Sequence, residues 1–338
     1  MKGKLICHII YFGIIAIICV HGCSGDITEE VIVYVSEDQV FSEPVLRDFE
    51  KETGINVKAV YDTEETKSTG AMNRLIAEKN NPQADVYWAN EPIRVIVLKQ
   101  KEISTPYFSS NAEGIPSHFK DTEGYWTGFS ARARVLIANG KGETPNSILD
   151  YTNESFKNMA VIANPLFGTT TAWVASLFTF WGDKKAKDFM DKMKKNGVSV
   201  STSNGESTML VVNREFVFSL VDSDDATNVI RDGKQVKQIY PDQIEGGLGC
   251  LVLPNAVVLI KGGPNPENGR KLIDYLLSHE TERKLAFADC AQIPLHKGVE
   301  TPPDVRKIED IKTMEVDYEE VAKKLQEIQL YLKEWAKY

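Results

Sequence analysis

From Val31 to Val60 the chain reads VIVYVSEDQVFSEPVLRDFEKETGINVKAV. It opens on Val31-Ile-Val-Tyr-Val35, a β-branched and aromatic run of strand composition. From Phe41 to Thr53 the apolar residues Phe41, Val45, Leu46 and Phe49 recur at helical spacing. Gly54 stops that helix, and Ile55 to Val60 supplies a second strand. Working outward, Ser68-Thr69-Gly70 opens a helix through Lys79. Asp85-Val-Tyr-Trp88 is a third strand, ending in the loop Ala89-Asn90-Glu91-Pro92. Strands that alternate with amphipathic helices predict α/β layers.

Two later segments have the apolar content of long strands that cross between domains. One runs from Trp126 to Ala138, and the other from Gly249 to Ile260. Between them, Asn158 to Gln243 holds the content of a second α/β unit. A chain that leaves one lobe and returns to it has the organisation of a two-lobed binder, with the ligand in the cleft at the hinge. The expected division is lobe 1 at 27–131 and 250–295, lobe 2 at 132–249, and a helical segment at 296–338 on lobe 2. Its helix, from Val316, carries Val321, Leu325, Ile328, Leu332 and Trp335 near one face.

The N-terminal segment 1–22 reads as a leader rather than fold. Lys2 and Lys4 precede an apolar run from Leu5 to Val20, and Val20-His21-Gly22-Cys23 follows. The run falls short of the ~20 apolar residues of a membrane-spanning helix, so an uncleaved anchor is the weaker alternative. Either way the body is expected outside the cytoplasm, in the periplasm or at the cell surface. Of five cysteines, three lie in this region; only Cys250 and Cys290 remain, and their pairing is left open. The net charge of −9 grows by two units without Lys2 and Lys4. No basic stripe interrupts it, which argues against a nucleic-acid partner. A length of 338 residues accommodates two domains.

Several of these segments, in order, resemble the ferric-ion-binding family of bacterial periplasmic binding proteins. They are Phe49-Glu-Lys-Glu-Thr-Gly-Ile-Asn-Val57, Ala84-Asp-Val-Tyr-Trp-Ala-Asn-Glu-Pro92, Trp126-Thr-Gly-Phe-Ser-Ala-Arg-Ala-Arg-Val135 and Leu253-Pro-Asn-Ala-Val-Val-Leu-Ile-Lys261, followed by the stretch Pro264 to Leu277. The resemblance implies an α/β, two-lobed periplasmic-binding-protein fold (type II) with a hinge and interlobe cleft. It implies a monomeric ABC-importer subunit that captures a small ligand, is no enzyme, and delivers its cargo to permease subunits. Val20-His21-Gly22-Cys23 resembles a lipobox, implying membrane attachment through lipid on Cys23. In that family a glutamate after the third strand ligates metal, and Glu91 matches it. Adjacent tyrosines on the second lobe supply phenolates for ferric iron. Here the matching region reads Phe216-Val-Phe-Ser-Leu-Val-Asp222-Ser-Asp224-Asp225, with no tyrosine pair. The family's histidine near the first strand is also unmatched, since Ser36 to Val40 offers only Glu37 and Asp38.

Asp222, Asp224 and Asp225 follow an apolar run and would repel one another without a cation or solvent. With Glu91 they compose an all-oxygen set for a hard cation, Fe3+ by family default, carried as cargo and not as a prosthetic group. A solvated helix-capping loop is an equal alternative. Gly168-Thr169-Thr170 opens an apolar helix, and helix N-termini favour anions. The resemblance implies an anion there that completes the metal's coordination, with Asn204 nearby. Ser68 and Thr69 repeat the pattern, though capping explains them better. Arg132 and Arg134 alternate on one strand face, to meet an anionic ligand or to pair with lobe carboxylates. An organic anion, such as a phosphonate or phosphorylated sugar, is thus the second expectation. A remote third is an aspartyl phosphatase using Asp222-Ser-Asp224, although Ala226 stands where that motif carries Thr or Val. Cys23→Ser is expected to release the protein from the membrane fraction or leave the leader uncut. Wild-type fractionation and migration of that variant would refute lipidation.

Overall fold

The computed structural model describes residues 29–62, 69–140 and 142–337. Cys23 and Ser68 therefore lie outside the described residues, as does the leader. Ten strands are β1 Glu30–Val35, β2 Asn56–Tyr61, β3 Val86–Ala89, β4 Ser104–Thr105, β5 Thr127–Ala138, β6 Ala160–Ala163, β7 Ser199–Ser201, β8 Phe218–Asp222, β9 Lys237–Ile239 and β10 Val252–Ile260. The α-helices are α1 Gln39–Thr53, α2 Thr69–Ala77, α3 Pro92–Gln100, α4 Gly168–Trp181, α5 Asp183–Lys195, α6 Asn204–Val212, α7 Ser223–Arg231, α8 Pro266–Leu276, α9 His279–Phe287 and α10 Tyr318–Trp335. Among the described residues, no helix is long and apolar enough to cross a membrane.

The strands follow the order β2-β1-β3-β10-β5-β8-β6-β7, with β4 added to β10 and β9 to β5. The β1–β2 and β1–β3 pairs are parallel, as are β6–β7 and β6–β8. Strands β5 and β10 run antiparallel to their neighbours and to each other. The fold is that of a two-lobed α/β protein, as expected from the alternation of elements. Strand β5 is the shared member. Its first half, Thr127 to Ala133, pairs with β10; its second half, Arg134 to Ala138, pairs with β8. All twelve of its residues are buried. That explains a near-continuous apolar run broken only by small residues and the two arginines.

A bend in β5 sits at Ser130, whose φ is +38°. Its register partner β10 shifts between Pro254 and Asn255. Both irregularities are tied down. The Ser130 amide donates to Glu282 Oε1 at 2.8 Å, and Asn255 Nδ2 donates to the Ser130 carbonyl at 2.7 Å. Glu282, with no exposed surface, also accepts from the amides of Leu295 and His296. The His296 ring lies 2.8 Å from Glu282 Oε2 through Nδ1 and 2.8 Å from the Asn111 carbonyl through Nε2. Two acceptors flank the ring, so the doubly protonated imidazolium fits both contacts.

The C-terminal helix buries the predicted face: Val321, Leu325, Ile328, Leu332 and Trp335 are all inside. It packs on α4 and also on α3, so it touches helices of both halves. Lys99 of α3 meets Glu319 at 3.2 Å, while Trp335 Nε1 donates to the Met190 carbonyl of α5 at 3.1 Å. Cys250 and Cys290 are buried free thiols.

Burial acts to lower the His296 pKa, but the hydrogen bond and charge of Glu282, with backbone bonding at Asn111 and Glu113, outweigh it and the net shift is upward. A pKa raised on folding gives stability that is complete below the unfolded value of about 6.5 and is lost as pH rises through the folded value. Urea midpoints measured from pH 6 to pH 9 are therefore expected to fall for the wild type. The same series for His296→Gln should lack that component; parallel curves would show that His296 does not carry it.

Candidate functional site

The carboxyl ends of β1, β3 and β8 all lead to loops around the middle of β5, the place where open α/β sheets gather ligands. Asp222 ends β8 and sits at the N-cap of α7, with Asp224 and Asp225 in the first turn of that helix. The structure brings these three aspartates together: one ligand oxygen from each lies within 4.8 Å of the others. Glu91 is not in that group. Its carboxylate caps α3 instead, accepting from the amides of Ile93 at 2.6 Å and Arg94 at 3.2 Å. It also faces the Arg94 guanidinium at 3.7 Å. Arg94 reaches on to the Thr69 hydroxyl at 3.5 Å, the site-lining role foreseen for Thr69 being here a contact between the starts of α2 and α3.

Two arginines organise the aspartates. Arg134, 1% exposed, donates to Asp222 Oδ1 at 2.7 Å, to Thr169 Oγ1 at 2.9 Å, to Thr170 Oγ1 at 3.1 Å and to the Leu220 carbonyl at 3.0 Å. Thr169 in turn donates to Asp222 Oδ2 at 2.7 Å, and Asn204 Nδ2 donates to the same oxygen at 3.0 Å. Thus Thr169, Thr170, Asn204 and Asp222 do converge, but their side chains are largely engaged with one another. Gly168 holds a φ of +60° at the start of α4, the left-handed region that favours glycine. Its surroundings are open, since nothing lies within 4 Å of where a Cβ would stand.

Arg132 is the second organiser. Its Nε donates to Asp224 Oδ2 at 3.1 Å and its Nη1 to the Asn90 carbonyl at 3.1 Å. Its Nη2 pairs with Glu37 Oε2. Of the two roles open to these arginines in the sequence, pairing with carboxylates is the one the structure displays. Glu37 was missed as a site residue. It is 2% exposed and lies two residues past the end of β1, so an acid near a strand's carboxyl end was the available signal.

The electrostatics of the cluster follow from burial and crowding. Burial raises the Asp224 pKa and Arg132 opposes it; repulsion from Asp222 and Glu37 adds to the rise, leaving it at about 6. Burial, then repulsion from Asp224 and Asp222, pushes Asp225 well above the usual carboxylate range. Within the cluster two buried carboxylate oxygens have no hydrogen-bond partner, Glu37 Oε1 and Asp224 Oδ1. Buried acceptors without donors are costly, and a cation or N–H group satisfies them. Tyr34, Tyr87, Trp88, Phe129 and Trp173 are all interior, as most strand aromatics are.

Comparison with known proteins identifies the family and the fold. Residues 45–313 match the family described as bacterial extracellular solute-binding protein. A Salmonella typhimurium protein named "Putative 2-aminoethylphosphonate-binding periplasmic protein" is 27% identical over 284 residues, covering 81% of each chain. "Iron uptake protein A1" of Synechocystis is 26% identical over 291 residues, covering 80% of this chain and 79% of that one. Among solved structures, the Trichodesmium IdiA (FutA) complex with iron and citrate superposes with a TM-score of 0.80 at 20% identity. It covers 91% of this chain and 99% of that one. This last likeness is one of fold.

Arg134→Met is expected to leave Asp222 buried with its charge partner gone, at a cost of about 3 kcal/mol. Combining it with Asp222→Asn should recover part of that loss. Chemical denaturation of both variants checks this; a single variant as stable as wild type would show that the pair is not holding β5 to β8.

Proposed function

The chain belongs to the bacterial extracellular solute-binding protein family, and on that premise we propose that its cargo is a hard cation, with ferric iron favoured. As a solute-binding protein of the ABC-importer type, it works with permease subunits. The observation that carries the cation reading is the excess of carboxylate over guanidinium, with Glu37 and Asp222 buried and Asp224 and Asp225 partly so. Glu37, Asp222, Asp224 and Asp225 face only Arg132 and Arg134, and Glu37 Oε1 and Asp224 Oδ1 are left without donors. Burial and mutual repulsion already raise Asp224 and Asp225, so the cluster gains by taking up positive charge. Oxygen donors of this kind suit a hard cation. In this reading Asp224 and Asp225 contact the cargo from one lobe, with Glu37 from the other. Asp222 acts through Arg134, and Glu91 positions the loop that carries Asn90. Gly168 and the first-turn amides of α4 remain the place for an accompanying anion.

The lobes are taken as 27–131 with 250–295, and 132–249, with α10 laid across both. Delivery from the periplasm or cell surface, with lipid on Cys23, completes the proposal. The periplasmic relatives and an iron-uptake relative support its direction.

A second reading is favoured by the Salmonella relative and by the pairing of acids with an open helix start. It is an aminoalkylphosphonate, its ammonium on Asp224 and Asp225 and its phosphonate at Gly168. Titration calorimetry of the full chain decides between them. Ferric citrate is expected to give saturable binding that Asp224→Ala weakens at least tenfold, by loss of one charged ligand. No phenol lies among the proposed ligands, so the ferric complex is expected to be almost colourless. Saturable binding of 2-aminoethylphosphonate with no response to any metal would replace the cation reading with the second.

A further inference from the structure

Arg132 links the two halves of the fold. It stands on the strand common to both sheets, two residues from the bend at Ser130. It ties three segments: Glu37 after β1, Asn90 after β3, and Asp224 in the first turn of α7. The first two belong to the β1–β3 half and the third to the β8 half. The guanidinium therefore sits between the carboxylates that the two halves turn toward the cleft. It is 7% exposed and so screened little by solvent.

We propose that Arg132 is a built-in latch, a tethered cation that draws the two lobes together in the absence of cargo and sets how strongly an external cation can bind. Each carboxylate it pairs with keeps one oxygen without a partner, Glu37 Oε1 and Asp224 Oδ1. These two atoms are buried while the latch is engaged, so a cargo reaches them only when it opens. A positive charge fixed this close to the site opposes a second cation and favours an anion. Arg132 is thereby a specificity-setting residue as well as a positioning one. Its removal has a mechanical consequence too. Glu37 and Asp224 would lose the guanidinium that both of them bond, and with it the ion-paired link between the halves. The ligand-free lobes would then separate, and a cation would be needed to close them. The affinity half of this inference rests on the cation reading above; the closure half does not.

Small-angle scattering of the full chain without ligand, on wild type, Arg132→Gln, Arg132→Lys and Arg132→Gln/Glu37→Gln, tests the latch. The Gln variant is expected to have a larger radius of gyration than wild type, and the Lys variant to restore part of the difference. In the double variant the buried Glu37 charge is removed along with the latch, so it keeps the test open should the single variant fail to fold. It too should be more open than wild type. A radius equal to wild type in the folded Gln variant, or in the double variant where the single one does not fold, overturns the latch. Calorimetry with ferric citrate and with 2-aminoethylphosphonate then reads specificity. Arg132→Gln is expected to bind ferric ion roughly tenfold more tightly and the phosphonate more weakly, from removal of one nearby positive charge. An opened Gln variant with no change toward ferric ion retains the latch and overturns the cation reading instead. Weaker binding of ferric ion overturns the specificity role itself.

Discussion

A single twelve-residue strand, Thr127–Ala138, is a member of both sheets, and the rest of the architecture depends on that sharing. Such a strand has no solvent face on which to place charge. Yet it carries two guanidiniums, separated by one residue, near the point where its partner changes from β10 to β8. Burying a guanidinium without a counter-ion costs several kcal/mol. The fold must therefore bring carboxylates to the middle of β5 from each side. Asp222 is the register partner of Arg134 across β5–β8, and Glu37 and Asp224 close on Arg132. The acids at the strand ends are in this sense a requirement of the hinge before they are anything for a ligand.

That requirement also determines how far the site was legible. The strands and helices of the first hundred residues follow from β-branched runs, helical spacing and Gly54, because each signal is local. Of the two long strands expected to cross between the halves, β5 does, while among the described residues β10 pairs only with β3, β4 and β5; composition marks a long buried strand but not its partners. The convergence of Thr169, Thr170, Asn204 and Asp222 was legible only as a set of helix starts. What joins them is Arg134, and pairing across the sheet depends on register between β5 and β8, which lie some ninety residues apart. Glu91 shows the opposite failure. Its position after β3 matched a ligand loop, yet the same position is an N-cap, and two amides of α3 take its oxygens. One carboxylate has one geometry, and local capping can claim it before a distant cleft does. Glu37 was seen near the unmatched histidine but not counted as a site residue, because one acid after a strand is a common event; the approach of Arg132 gives it meaning.

Buried ion pairs of this kind do little for net stability compared with apolar packing. Their value is in specifying one arrangement. Arg134 fixes β5 against β8 and the start of α4; Glu282 fixes the bend at Ser130 through backbone amides and His296. The shared strand thus has two rigid anchors, one at the bend and one at Arg134. Arg132 lies between them and reaches across to both halves.

Conflict is the remaining feature of the site, and it bears directly on cargo. Four carboxylates meet two guanidiniums, and burial and repulsion raise both Asp224 and Asp225, so the cluster holds protons more readily than free carboxylates do. A protonated carboxyl is a poor ligand for a metal ion, so a hard cation must displace protons to bind. An ammonium group meets the same competition in weaker form, because it donates to either state of the acid less selectively. Acid therefore opposes capture of a cation at this cluster twice over, by filling the ligand oxygens and by removing the charge that attracts it. The same surplus that makes the empty site uncomfortable is the source of its affinity: a cluster fully neutralised by arginine would be stable and would have nothing left to offer. The two oxygens without partners, one on Glu37 and one on Asp224, are where that residual demand is located.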